Sequence, residues 1–391
     1  MLFKGKTKEF QDELVQWRRN FHQHPELSFE EFETRKTLLK FLEREHIEIL
    51  PVESGNSIVG IIRGAYPGKT ICLRADMDAL PIVEASGAPY ASENPGVMHA
   101  CGHDVHMSVL MAALHMLSPL ASQMHGNVKF LFQEGEEKDP GGAVKLVANG
   151  ALDGVDAFYA CHTGTYLETG TIGFHPGPYQ AASDSFEMKI IGKGGHGAYP
   201  HYSVDPIMAM TGVIQAFQTI VSRNVSPLES AVVSVCHIET GTASNVLPNS
   251  VYMEGTVRTL NEDVRKMVRA RMDTICRDIC AGYGCTCELS YHEGYPCVCN
   301  DAGMTAFAEK AAAKIVGESG VLAIPCVMGG EDTAYYLQKV PGVMSRLGAG
   351  NTAKGLTSPA HSPTFNVDED CLMYGAEIMA QVAWDYLEEN A

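Results

Sequence analysis

Apolar residues recur at helical spacing over residues 8–46, and the polar turn "HQHPELSFEE" breaks the pattern at Pro25, which predicts two helices joined by a turn. From Lys69 to about Gly177 the pattern becomes α/β. Three runs, "TICLRAD", "VKFLFQE" and "DAFYACH", are apolar nearly throughout, as parallel strands covered on both faces should be. Each closes on residues able to bind a metal or handle a proton: Asp76, then Glu134 with Glu136 and Glu137 just beyond, then His162. In open α/β sheets ligands bind beyond the carboxyl ends of the strands, which makes the coincidence informative.

Between about 180 and 293 the order changes to strand "SFEMKIIG", helix "DPIMAMTGVIQAFQTIV", strands "SAVVSVCHIE" and "SVYMEGTVRTL", helix "EDVRKMVRARMDTICRDIC" and strand "CTCELSYHE". This βαββαβ succession is the split, ferredoxin-like arrangement of a compact domain. After Asn300 the α/β pattern resumes, with a helix near 301–316, a short strand "AIPCVM", a helix after "GGEDTAYYLQK", a strand "GVMSRLG" and a final helix from Glu369. The smaller domain is therefore expected as an insertion (180–294) between two segments of the larger one (1–179 and 295–391). No internal repeat, low-complexity segment or long linker interrupts this order.

A length of 391 residues suits two domains and a substantial core. The opening "MLFKGKTKEFQDELVQW" has no apolar h-region, and no later stretch is expected to reach the length of a membrane span, so the cytoplasm is the default location. A formal net charge of -18 argues against phosphate-backbone binding, which relies on clustered Lys and Arg. The twelve cysteines are diluted over a long chain and read as reduced thiols. The group "CRDICAGYGCTC" with "CVC" does not repeat a Cys-x-x-Cys zinc knuckle.

The stretch "MHACGHDVHM" holds the densest chemistry. Cys101 and His103 could present thiolate and imidazole together, a pair suited to zinc and similar ions, with Asp104 placed to cap the following helix and His106 one turn on. The same residues could equally be a capped helix entrance with hydrogen-bonded histidines. In "FQEGEEKDPGGA" the adjacent Glu136 and Glu137 could divide labour near a cation, one as ligand and one as proton acceptor, or could be a solvated pair. His162 and His361, the latter in "SPAHSPTF", bring the set to one thiolate, one carboxylate and three imidazoles, enough for two adjacent ions. "GKGGHG" matches a dinucleotide fingerprint, but the prolines of "AYPHYSVDP" deny the helix that must follow. No Gly-x-Ser-x-Gly elbow is present, while a catalytic Cys101 assisted by His103 stays open.

Taken in order, "RRNFHQHPELSFEE", "LRADMDALPI", "MHACGHDVHMSVLMAA", "FQEGEE", "GGHGAYPH", "SNVLPNSV", "GTVRT", "GGEDTAYYL" and "HSPTF" resemble the metal-dependent amidohydrolases of the aminoacylase and carboxypeptidase superfamily, nearest to the hippurate and indole-acetyl-amino-acid hydrolases. The resemblance spans about Trp17 to Asp370. It implies a two-metal catalytic domain with a mostly parallel central sheet and an inserted ferredoxin-like lid. It further implies Cys101, His103, Glu137, His162 and His361 as ligands of two divalent ions (zinc or manganese, with cobalt or nickel as alternatives) and Glu136 as general base. By the same resemblance Asp78 orients the metal site, His196 stabilises the oxyanion, and Asn245 and Arg258 grip the substrate carboxylate. His99 and His106 are left as supporting neighbours.

Three departures bear on specificity: Glu134 where relatives carry proline in "FQPAEE", "HTGTYLETG" where they carry a proline-containing segment, and Thr333 in "GGEDTAYY". The expected activity is hydrolysis of N-acyl amino acids. A dipeptidase or carboxypeptidase on the same site is the alternative, and a metal- or amino-acid-binding protein on this fold is the non-enzymatic rival. Partners are then a small N-acyl amino acid or dipeptide and, through the lid, a second copy of the chain, with neither nucleic acid nor membrane.

Overall fold

A computed structural model describes residues 2–391, and the chain divides into two compact units, one of residues 2–177, 299–325 and 332–391 and one of residues 178–298 and 326–331.

The first unit is built on an eight-stranded sheet with the spatial order Glu48–Ile49, Ile58–Arg63, His125–Gln133, Tyr66–Asp76, Ala157–Glu168, Gly342–Gly350, Ile172–Phe174 and Val321–Ala323. The central strands run parallel: Tyr66–Asp76 pairs with His125–Gln133 and Ala157–Glu168, and the latter pairs with Gly342–Gly350. Ile58–Arg63 joins antiparallel at one side. All nine residues of Gly342–Gly350 are buried, as is the carboxyl half of Tyr66–Asp76, which explains the unbroken apolar runs. Helices Gln11–Gln23, His103–Leu117, Ala302–Val316 and Cys371–Glu389 pack among themselves and on this sheet, with Phe130, Phe132, Leu110, Leu114 and Met379 in the shared core. Each such side chain taken from water contributes roughly 1.5–3 kcal/mol.

Helix His103–Leu117 is buried on every side except at His115. That burial demands an apolar residue on all faces, so the stretch 103–123 is long and apolar enough to cross a membrane by length and composition. The expectation that no stretch reaches that length is corrected here; 61% of the qualifying window is buried inside the protein, as in a core helix.

The second unit follows the order strand Ala182–Ile191, helix Pro206–Thr219, strands Ala231–Thr240 and Ser250–Thr259, helix Glu262–Gly282 and strand Thr286–Tyr295. The strands form an antiparallel sheet in the spatial order second, third, first, fourth, which is the ferredoxin-like topology. Asp205 and Asn261 cap the two helices by accepting from Ile207 N and from Asp263 and Val264 N. Burial alternates along Ala182–Ile191, and Phe186, Met188 and Ile190 meet Val213, Phe217, Met272 and Cys276 in a core of their own. None of the twelve cysteines is in a disulfide.

Candidate metal centre

The carboxyl ends of the central strands gather the chemical groups. Asp76 ends the Tyr66–Asp76 strand, Asp78 lies two residues on, and the loop 134–137 follows His125–Gln133. His162 was expected to close its strand; the strand continues to Glu168, and His162 lies beside Arg346 of the neighbouring strand. Cys101 and His103 sit at the mouth of helix His103–Leu117, where Gly102 occupies the N-cap position with φ 86°. A Cβ at Gly102 would fall 2.3 Å from Thr163 Oγ1, so glycine is required twice over, by conformation and by space. His361, with φ 64°, is tied to this mouth by its own N–H donating to Ala100 O at 2.8 Å.

The donors converge in two groups, Cys101 with His103 and His162, and Cys101 with Glu137 and His361; in each, one ligand atom per residue lies within 4.8 Å of the others. Cys101 belongs to both. Cys101 Sγ lies 3.4 Å from His162 Nε2, and His361 Nε2 lies 3.2 Å from Glu137 Oε1. Both ring nitrogens of His103 and Oε1 of Glu137 are buried without an aligned hydrogen bond; Nδ1 and Nε2 of His103 lie 3.3 Å from Asp78 and 3.8 Å from Glu137. Buried polar atoms left so are costly unless something else binds them, and a cation fits this donor set. His361 is pushed up to about 10 by the Cys101 thiol and the Glu137 carboxylate, so the cluster draws positive charge.

The surrounding bonds separate ligand candidates from braces. His162 Nδ1 donates to Thr163 O at 2.8 Å, leaving Nε2 as the lone-pair nitrogen. His106 has both ring nitrogens committed, Nδ1 to Asp76 Oδ1 at 2.6 Å and Nε2 accepting from Thr163 N at 2.9 Å, so it braces. Burial works against the charge of Asp76, but Arg74 and the two imidazoles of His103 and His106 outweigh it and hold the carboxyl well below its ordinary range. Asp78 accepts from Glu136 N at 3.0 Å, Glu137 N at 2.9 Å and Ser28 Oγ at 2.6 Å, so one carboxylate fixes the loop of the Glu pair beside His103. Glu136 is 6% exposed.

Asp104 does not cap its helix as expected. It is fully buried, with Oδ2 accepting from Arg18 Nε and His22 Nδ1, both at 2.8 Å. Glu134, which stands where relatives carry proline, accepts from Asn56 N at 2.7 Å. Thr163, flagged only for specificity, proves to be a brace for His106 and His162, while Thr333 is fully buried. Ser28 and Glu31 were missed as site residues because their partners lie 50 or more residues away in sequence, as does His106 from Thr163.

The remaining candidates belong to the second unit. His196 is exposed and pairs with Val246 in a short two-stranded ladder, its Nδ1 accepting from Ala198 N at 3.1 Å. Gly197 N donates to Asn245 O at 2.8 Å, which sets Asn245 beside it. Arg258 lies on Ser250–Thr259, opposite Val232 and Ser183.

A thiol, imidazole and carboxylate cluster at the carboxyl end of a mostly parallel sheet, with a further carboxylate beside it, defines the class of metal-binding hydrolases. The chain belongs to peptidase family M20/M25/M40, whose model matches residues 72–385. It is 40% identical to the N-acetylcysteine deacetylase of Bacillus subtilis (strain 168) over 382 residues, 97% of this chain and 98% of that one. It is 38% identical to thermostable carboxypeptidase 2 of Saccharolobus solfataricus over 386 residues, 97% of each. A crystal structure from Bacillus subtilis, described as a dinuclear metal binding peptidase from the M20 family, superposes with a TM-score of 0.85 at 36% identity, covering 97% of this chain and 99% of that one.

Proposed function

We infer that the chain hydrolyses the amide bond of N-acyl amino acids, releasing a carboxylic acid and an amino acid. The observation that carries this reading is the double membership of Cys101 in two adjacent donor groups, with the Glu136–Glu137 loop fixed next to them by Asp78. Cys101, His103, Glu137, His162 and His361 would hold two divalent ions; the thiolate favours zinc, while manganese, cobalt and nickel also suit carboxylate and imidazole. When bound, such ions supply Lewis acidity to the scissile carbonyl and to the attacking water. Glu136, buried at the loop, accepts the proton of that water on its carboxylate and returns it to the departing amine nitrogen. Asp78 holds Glu136 and Glu137 at the backbone, so the two carboxylates keep separate tasks.

For the second unit we propose the substrate-holding roles that the family resemblance implies. His196, whose Nδ1 is engaged by Ala198 N, offers Nε2–H to an oxyanion. Arg258 offers a fork suited to a free carboxylate, with Asn245 as a further polar contact. The inserted unit, here residues 178–298, would act as the lid, and its edge strand Ala231–Thr240 is the surface proposed for pairing with a second copy. Twelve cysteines without a disulfide fit a reducing compartment, the cytoplasm.

The alternative, a carboxypeptidase or dipeptidase on the same site, has in its support a relative named as a carboxypeptidase. Turnover of N-acetyl or N-benzoyl amino acids against dipeptides, with apo-protein reloaded by each divalent ion, separates the two. The non-enzymatic rival has no use for a buried carboxylate at 136. Glu136→Gln is therefore expected to keep the metal content while turnover falls about 10²–10⁴-fold, the usual worth of a positioned base. Substantial retained turnover sinks the assignment.

A further inference from the structure

Every backbone amide of the loop that carries the Glu pair is bound by a side chain. Glu134 N donates to Ser57 Oγ at 3.0 Å, Gly135 N to Glu31 Oε1 at 2.8 Å, Glu136 N to Asp78 Oδ1 at 3.0 Å and Glu137 N to Asp78 Oδ2 at 2.9 Å. Asp78 is one anchor; the other two, Ser57 and Glu31, precede the stretch matched by the family model. Glu31 is fully buried, and its second oxygen faces Asn56 Nδ2 at 3.4 Å. The same Asn56 nitrogen donates to Phe29 O at 2.9 Å, so the segments 28–31 and 54–57 form one clasp.

The clasp leaves the loop no slack. Gly135 has φ 62°, and a Cβ there would fall 2.4 Å from the ring of Phe29, which itself holds a left-handed φ of 68°. On the other side, a Cβ at Gly55 would fall 2.1 Å from the Glu134 carboxylate. A loop closed from both sides cannot relax around a lost contact at its centre, and Gly135 is the residue immediately before Glu136.

We propose that Glu31 is a positioning residue for the base loop: by holding Gly135 N it fixes the angle at which Glu136 and Glu137 leave the strand. The motif "HPELSFEE" thereby gains a task in the reaction, through Ser28 on Asp78 and Glu31 on Gly135. This rests on the reading of Glu136 as the base.

The test compares Glu31→Ala, Glu31→Gln and Glu136→Gln, each metal-loaded, on an N-acetyl amino acid, with metal content measured on every variant. E31A is expected to lose kcat about 10–100-fold with KM within about threefold of wild type and unchanged metal content, as for a misplaced group away from ground-state binding. E31Q, whose amide oxygen still accepts from Gly135 N, should recover to within about threefold of wild type. A residue that merely stabilises the fold would lower the melting temperature and leave kcat intact. Wild-type kcat in E31A, or equal impairment of E31A and E31Q, overturns the proposal. If E31A does not fold, Asn56→Ala takes its place, since it releases both Glu31 and Phe29; a fall in kcat at steady KM supports positioning and an unchanged kcat overturns it. The E136Q control keeps the two readings apart: retained turnover there removes the base, whereas collapse in E136Q beside a normal E31A removes only this inference.

Discussion

Glu31 also sets a test in proton linkage. Burial, and then the nearby Asp78 carboxylate, push its carboxyl up from an ordinary 4.5 to about 7. A raised acid holds its proton better in the folded chain than in the unfolded one. Its contribution to stability is therefore fully present below about pH 4.5 and is lost as pH rises through about 7, a difference of about 3 kcal/mol. The protonated carboxyl still accepts from Gly135 N through its carbonyl oxygen, so Glu31→Gln copies that form without the titration. E31Q should match wild type in thermal unfolding near about pH 5 and exceed it near about pH 8. A deficit of E31Q that grows toward alkaline pH would mean that the loop needs the charged form.

At the scale of elements, the long parallel strands and most helices were legible because each is buried on faces that its own composition must match. Tyr66–Asp76, His125–Gln133 and Ala157–Glu168 needed no partner information to be recognised. Ile58–Arg63 was not recognised: its run carries Gly60, demanded by the Phe130 ring of the adjacent strand 2.1 Å from where a Cβ would stand, a constraint no local pattern reports. The strands of two or three residues, Glu48–Ile49 and Ile172–Phe174, exist through their partners and leave no period to read. The residues that gather at the candidate centre were legible as motifs, whereas the side chains bracing them were not, because they meet across the fold. Asp104 looked like a helix cap and is half of a buried ion pair with Arg18, 86 residues earlier. That pair couples helix Gln11–Gln23 to the helix that begins at His103, and Arg18 also reaches Asn366 Oδ1 at 3.2 Å and Glu369 at 3.3 Å. Arg18→Leu leaves the buried Asp104 carboxylate with His22 as its one named partner, which should cost about 3–5 kcal/mol in denaturant unfolding. Because His103 precedes Asp104, the metal affinity proposed for the centre should fall as well. A loss under about 1 kcal/mol would show that His22 alone satisfies Asp104.

At the scale of the molecule, the two units divide the labour of folding. The first closes its sheet only when Gly342–Gly350 comes back to pair with Ala157–Glu168, so its core depends on chain from both sides of the intervening segment. The second unit has the opposite character. Its hydrophobic cluster, from Phe186 to Cys285, is drawn wholly from residues between 178 and 298, and the short stretch 326–331 contributes nothing to it. Its one buried ion pair of note, Arg265 with Asp184, is internal, and Tyr291 OH and Gly294 N satisfy the same Asp184 carboxylate. Both helices carry side-chain caps from within, and all three strand pairings are local to the segment. The core, the caps and the strand pairings named above all come from within residues 178–298, so that segment expressed alone should fold. The expected result is a single cooperative thermal transition with mixed helix and sheet signal, at a size of 121 residues (298 − 178 + 1) that commonly behaves as two-state. A broad, non-cooperative melt, or a fragment that binds apolar dye with no near-ultraviolet dichroism, would refute independent folding and make the insertion a dependent part of the larger unit.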